Sequence, residues 1–304
     1  MLGLSSTTRS LNLLKATVIR VAAASFCAIS LSGCIVFEGG NSALPRGPRI
    51  AELDEPNTAN PNAANNNLAS LSEVVSRNPN DATAFNTRGA ALARAGRFSE
   101  AISDFNKAIQ LDPNLAAAFL NRGLTNRQTG RNDAAMADFN RAISIDANYG
   151  QAYLARGNLI RTQGDMQSAI ADYNRAIQLN REAAEGYHGR GLAYQALGDH
   201  VRAVADFDGA IDRNPNAVPP FMGRGQSLIA TGKFQLAIED FNTALNLDNK
   251  NGDAWAQRGI AYENLGDKKE ANESFQKALI VDPNNRIAKD GSSRNSGSGG
   301  GFFR

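Results

Sequence analysis

The residues best suited to chemistry in this 304-residue chain are few, and their spacing fits no familiar reaction. The two histidines are His188 and His200. An imidazole can act as base, acid or metal ligand near neutral pH, but only with partners placed around it. No HExxH, GxSxG or phosphate-cradling glycine loop supplies them. Six arginines, Arg88, Arg122, Arg156, Arg190, Arg224 and Arg258, recur every 34 residues. Alone, such an array would suit anions or nucleic acid. However, Asp104, Asp138, Asp172, Asp206 and Asp240 each follow an arginine by sixteen residues. A planar guanidinium meets a carboxylate at two points and tolerates partial burial when so paired. The expected role of the ladder is therefore ion pairing inside the fold. Arg258 faces Ser274 at the same spacing and is expected to be freer. The expectation is a non-enzymatic chain with no catalytic residue, metal or cofactor and no nucleic-acid partner.

The elements that hold these residues follow from the period. Phe85, Phe119, Tyr153, Tyr187, Phe221 and Trp255 are 34 apart, as are Gly89, Gly123, Gly157, Gly191, Gly225 and Gly259. Within a unit, Phe85, Gly89 and Leu92, then Ala101, Phe105 and Ala108, fall at helical spacing. Gly96 lies between the stripes, where a helix end favours a left-handed residue. Asp112-Pro113 stops the second helix, because proline cannot extend the ladder. Each unit is thus helix–turn–helix, and helices of about 12–15 residues must bury their stripe on neighbours to be stable. Small residues at Gly89, Ala101 and Ala108 allow close crossings, with the Phe105-type aromatic filling the space beside them.

The skeleton Phe85, Gly89, Leu92, Ala101, Phe105, Ala108, Pro113 resembles the tetratricopeptide repeat, in the subtype reading Asn-Arg-Gly. The resemblance implies an all-α right-handed solenoid of six repeats over residues 81–284. An N-terminal half-repeat helix at 68–80 (LASLSEVVSRN and the turn after it) would cap the first unit. Asn126 stands where other units carry a large residue, and the final proline is missing at Ala147, Arg181 and Asn249. These departures are expected to weaken repeats two and three locally.

In this family the first helices line a concave groove. Contact positions carry over to Asn86, Leu120, Leu154, His188 and Met222, and one turn on to Leu124, Asn158, Leu192 and Gln226. A further turn gives Arg94, Arg127 and Arg161. The lysine–asparagine clamp that some members use for chaperone carboxylates is absent. Two readings of these positions stand side by side. The leucines can be core and the arginines a solvated edge. Alternatively, they form a groove for an extended or helical segment of acidic character.

The ends have other compositions. Residues 1–33 carry Arg9, Lys15 and Arg20 and no acid, followed by the apolar run VAAASFCAISL. That run of 11 residues is too short to span a bilayer but suits a signal-peptide core. It leads into Leu31-Ser32-Gly33-Cys34, which resembles the bacterial lipoprotein box, where the cysteine is diacylated and becomes the new N-terminus. The alternatives are secretion with cleavage elsewhere or an uncleaved apolar start. Without residues 1–33, the 32 basic residues fall to one fewer than the 30 acids, so the pI of 8.6 carries no implication for nucleic acid. With Cys27 removed and Cys34 lipidated, no thiol remains for a disulfide or metal. Ile35 in place of aspartate favours the outer membrane, by resemblance to the sorting rule of enteric bacteria. Residues 34–67 read as a lipidated cysteine and flexible tether spanning about 30 Å r.m.s.. Residues 285–304 read as a disordered Gly/Ser-rich tail, with Phe302 and Phe303 either unstructured or docking on a partner or on the last repeat.

The chain as a whole resembles envelope lipoproteins of this repeat class. Some of those bring cell-wall hydrolases to a protease, and others pilot secretin subunits to the outer membrane. The resemblance implies a membrane-tethered periplasmic adaptor or scaffold whose partners are other envelope proteins or peptide segments. A pilotin-like assembly factor for a secretin or pilus system is the alternative. The lipid anchor is directly testable. Cys34→Ala is expected to abolish labelling by a fatty-acid analogue and to leave precursor or soluble protein. Equal labelling of wild type and variant contradicts the lipoprotein box.

Overall fold

The computed structural model describes residues 61–296. The expected signal segment, Cys34, most of the expected tether, and Phe302 and Phe303 lie outside the described residues. Within them the chain forms fourteen α-helices and no strand. Six helical pairs carry the repeats. They are α2 (Ala82–Arg94) with α3 (Phe98–Leu111), α4 (Ala116–Gln128) with α5 (Asn132–Ile145), and α6 (Gly150–Thr162) with α7 (Met166–Leu179). They continue with α8 (Ala184–Ala196) and α9 (His200–Arg213), α10 (Val218–Ala230) and α11 (Phe234–Leu247), and α12 (Gly252–Leu265) and α13 (Lys268–Val281). One helix precedes them, α1 (Pro61–Arg77), and one follows, α14 (Arg286–Ser296).

The boundaries have local causes. Asp81 accepts from the Thr83 and Ala84 amides at the start of α2, and Asp165, Asp199, Asn251 and Asp267 cap later helices the same way. The turn between paired helices always holds a glycine at φ between 74° and 93°, where a side chain would strain the backbone. Second helices end in an Asx turn, whether or not proline follows. Asp146 accepts from the Asn148 amide (2.9 Å), Asn180 from Glu182 (3.1 Å) and Asp248 from Lys250 (3.0 Å). The turns at Ala147, Arg181 and Asn249 therefore keep their shape without proline. Asn126 is also no defect: it is buried and donates to Asp138 at 3.1 Å.

Packing defines two layers. Each first helix contacts its own second helix, the preceding second helix and the neighbouring first helices. No described second helix touches the next second helix. The first helices therefore sit closer together, on the inside of the curve. The core is a row of fully buried rings, Phe105, Phe139, Tyr173, Phe207, Phe241 and Phe275. Each ring lies on the backbone of a first-helix glycine. A Cβ at Gly123 would come within 2.6 Å of Phe139, and one at Gly259 within 2.5 Å of Phe275. Gly157 is looser, with its nearest neighbour at 3.2 Å.

Both ends differ from the sequence expectation. The half-repeat helix begins at Pro61, inside the expected tether, and ends at Arg77. Its Leu68 and Leu71 pack on the first core cluster. The expected disordered tail is helical from Arg286 to Ser296. α14 starts 34 residues after α12 and contacts both α12 and α13, so it stands as the first helix of an unfinished seventh unit. Its Gly/Ser composition reads as disorder, but the small residues fall in register. Ala288, 34 after Ala254, is fully buried, and Gly291 lies against Phe275. Asn285 caps the helix by accepting from the Ala288 amide (3.0 Å) and donates to Asp253 (2.8 Å). Arg294 closes the far end with two bonds to Glu263 at 3.0 and 2.7 Å.

A Cβ at Gly291 would stand 2.4 Å from Phe275 Cζ. Gly291→Leu is therefore expected to undock α14, costing about 1–3 kcal/mol by overpacking and exposing residues 286–296 to protease. Unchanged proteolysis and melting contradict the docking of α14.

Candidate functional site

The arginine ladder forms joints. Arg88, Arg122, Arg156, Arg190 and Arg224 each grip the aspartate sixteen residues on through Nε and Nη2, at 2.5–3.0 Å. From the second unit on, Nη1 reaches back to the preceding unit's second helix. Its acceptors are Asn106, Asn140, Asn174, Asp208 and Asn242, at 2.6–2.9 Å. Each guanidinium also lies 4.3–5.8 Å from the aromatic three residues before it. The aspartates are buried, and an unpaired buried carboxylate would be costly. Hydrogen bonding to the carboxylate raises the proton affinity of Arg88, Arg156 and Arg190 above the usual arginine value, against burial. Arg258 is not freer. It donates to Ser274 (3.1 Å) and Asn242 (2.9 Å) and lies over Trp255. Lacking a carboxylate there, its proton affinity is lowered by burial.

The concave face is built from the inner sides of the first helices, and it sorts the expected contact residues into two groups. Asn86 is buried and accepts from Asn121 at 2.9 Å, tying α2 to α4. Leu120 is core, 4% exposed among Phe119 and Phe139. Both are corrections: their side chains are spent on packing between units. Leu124, Leu154 and Met222 are partly buried against core clusters and keep one side outward. Leu192 and Gln226 are half-buried, and Arg94 is exposed at the end of α2.

Asn158 and Arg161 come together around a residue that was expected only to fill space, and His188 lies near enough to feel the charge of Arg161. Tyr173 is the one hydroxylated member of the Phe105-type row. Its hydroxyl donates to Asn158 Oδ1 (2.8 Å) and accepts from Arg161 Nε (3.3 Å). Burial pushes the phenol's pKa up, while Arg161 and Arg127 pull it back down. Burial, then the charge of Arg161, lowers His188 from 6.5 to about 4, so it is neutral at pH 7. Its ring tilts against Phe207, 5.8 Å between centroids. His200 begins α9, on a different helix, and the two histidines form no joint site. Among the described residues no cluster of three or more His, Cys, Asp or Glu could hold a metal ion. No described helix is long and apolar enough to cross a membrane.

The comparisons agree with this architecture. Profiles described as "Tetratricopeptide repeat" match residues 82–115, 116–149, 184–217 and 252–285, and profiles described as "TPR repeat" match 157–198 and 225–266. Together they cover more than half of the chain, which belongs to the tetratricopeptide-repeat proteins. No curated protein matches its sequence at a significant level. Among solved structures, Cut9–Hcn1 of the APC/C superposes at a TM-score of 0.67 and 19% identity, over 76% of this chain and 46% of that one. This chain thus spans less than half the length of that structure. PilW, described as a widely conserved type IV pilus biogenesis factor, gives 0.63 and 16%, over 69% of this chain and 97% of that one. YrrB, described as having an unusual peptide-binding site, gives 0.54 and 21%, over 62% and 97%. At these identities the likeness is one of fold.

The joints are testable in isolation. Arg156→Ala and Asp172→Ala are each expected to cost about 2 kcal/mol, below the figure for a fully buried pair because part of the arginine is solvated. The double variant is expected to cost less than the sum, since neither partner is then left buried alone. Additive losses in thermal or denaturant melts contradict the joint.

Proposed function

We propose that this chain is a membrane-tethered, non-enzymatic adaptor of the bacterial cell envelope, lipidated at Cys34, facing the periplasm and held by preference at the outer membrane. Its concave face captures a segment of another envelope protein. Protein–protein interaction is the general use of tetratricopeptide repeats, and the stacked first helices offer a continuous inner surface for it. One observation carries the reading. The ladder arginines are consumed by joints, whereas Arg94, Arg127 and Arg161 occupy the positions that the family resemblance assigns to the groove, and no carboxylate partner pairs with Arg94 or Arg161 among the described residues. A basic strip beside half-buried Leu124, Leu154 and Leu192 suits a segment that is apolar with acidic positions. Apolar contacts would supply most of the affinity, and the charges the rate and choice of partner.

A pilotin-like role in secretin or pilus assembly is the second reading. The likeness to PilW, which extends over 97% of that chain, favours it. Deleting the protein would then lower the yield of secretin multimers, whereas an adaptor would give stable co-purifying partners.

Charge reversal at Arg94, Arg127 and Arg161 to glutamate together is expected to impair partner capture from native envelopes and leave helicity intact. Capture by the wild type is expected to weaken with salt, and the variant to lose that dependence. Retrieval of the same partners with unchanged salt sensitivity contradicts a basic groove.

A further inference from the structure

Within that groove, and resting on the reading of it as a peptide-binding surface, we infer that the third and fourth repeats hold a dedicated subsite for one carboxylate. The ligand is an aspartate or glutamate side chain of the captured segment, received between Arg161 and Asn158 with Tyr173 as the positioning residue.

The inference starts from where the donors point. Tyr173 Oη gives its only proton to Asn158 Oδ1 and takes one from Arg161 Nε. The first bond fixes the amide of Asn158 so that Oδ1 is engaged and the Nδ2 donors face elsewhere. The second engages Nε of Arg161 and leaves its two Nη groups, for which the described residues show no acceptor. Arg161 Nη1 and Nη2 and Asn158 Nδ2 are therefore donors with no acceptor among the described residues. Arg127 stands one unit back, close enough for its charge to act on the Tyr173 hydroxyl. His188, on the next first helix, feels the charge of Arg161. Donors without acceptors and a local excess of positive charge match a group that only accepts.

The cluster is particular to this place in the stack. Phe105, Phe139, Phe207, Phe241 and Phe275 occupy the same position in the other repeats and have no hydroxyl. Tyr173 is wedged between Gly157 of its own unit and Gly189 of the next, where an added Cβ would meet it at 3.2 and 2.5 Å. The hydroxyl cannot swing away, so the donor array is fixed before any ligand arrives, which limits the ordering cost of binding. Half-buried Leu124 precedes the cluster on α4, and Leu192 and Met222 follow it on α8 and α10, so it sits mid-way along the layer of first helices, which favours a side-chain carboxylate over a C-terminal one.

The substitution that separates this role from folding is Tyr173→Phe, because five other repeats fold with phenylalanine there. The experiment uses the full chain and a displayed pool of 12-residue peptides blocked at both ends, with Arg161→Gln as the background. Wild type is expected to enrich peptides carrying an aspartate or glutamate at one fixed position, with at least tenfold weaker binding when that residue becomes its amide. Tyr173→Phe is expected to melt as a folded solenoid yet lose most of that discrimination. Enrichment without a fixed acid overturns the subsite, as does no enrichment above background or full discrimination in Tyr173→Phe. Selection that works only with a free C-terminus overturns the side-chain assignment. Native partners captured equally by wild type and Tyr173→Phe would remove the subsite while leaving the adaptor reading in place.

Discussion

The structure depends on a buried carboxylate that must be matched. In five consecutive repeats an aspartate of the second helix is 3–6% exposed, held by two bonds from an arginine of the first helix. Left alone, that charge would destabilise the unit by more than the pair contributes. The third arm of the guanidinium makes the interaction more than local, because it bonds an asparagine or aspartate of the preceding unit. One side chain thus joins three helices and two repeats. In a solenoid, where stability is a sum of unit terms and nearest-neighbour terms, such a joint adds to both. It also requires the two units to stack at the spacing the fork allows. The first repeat lacks the cross-bond, since Ser72 stands at the acceptor position and donates instead to Leu68 in its own helix. The last repeat replaces the carboxylate with Ser274.

This arrangement divides the positive charge of the chain by function. The ladder is turned toward the second helices and the seams between units, where its donors are occupied. Arg94, Arg127 and Arg161 belong to first helices and are not members of the ladder. Only at Tyr173 does the buried aromatic row carry a polar atom, and there its hydroxyl bonds both Asn158 and Arg161. The proposed groove is thus apolar and basic in the same strip, whereas the outer helices expose Val201 on α9 and the adjacent Ile280 and Val281 on α13.

Most of the fold was legible because each unit repeats one solution. The 34-residue spacing of Phe85, Gly89 and Gly96 located every helix pair, and the sixteen-residue spacing from Arg88 to Asp104 located the ion pairs. What escaped reading was interaction between units. Asn106, Asn140, Asn174, Asp208 and Asn242 recur at the same period, but a polar residue on an outer helix gives no hint that it accepts from the next unit. α14 was obscured because Gly291 and its serines resemble a linker, although Ala288 continues the small-residue register. Asn86 and Leu120 were assigned to the groove by position along the helix. Position gives the face but not the depth, and both are used up in contacts with neighbouring units. Tyr173 was visible as the one departure from phenylalanine in its row, yet its meaning depends on which side chains surround the hydroxyl.

The central claim is that recognition takes place on the inner face of the first helices. Site-specific photocrosslinking in the native envelope tests it most directly. A photoreactive residue at Leu192, on the inner layer, is compared with one at exposed Gln178, on α7 in the outer layer. The account predicts discrete adducts to one or a few envelope proteins from position 192 and none from 178. Adducts from 178 alone, or identical adducts from both, would place the binding surface elsewhere and contradict it.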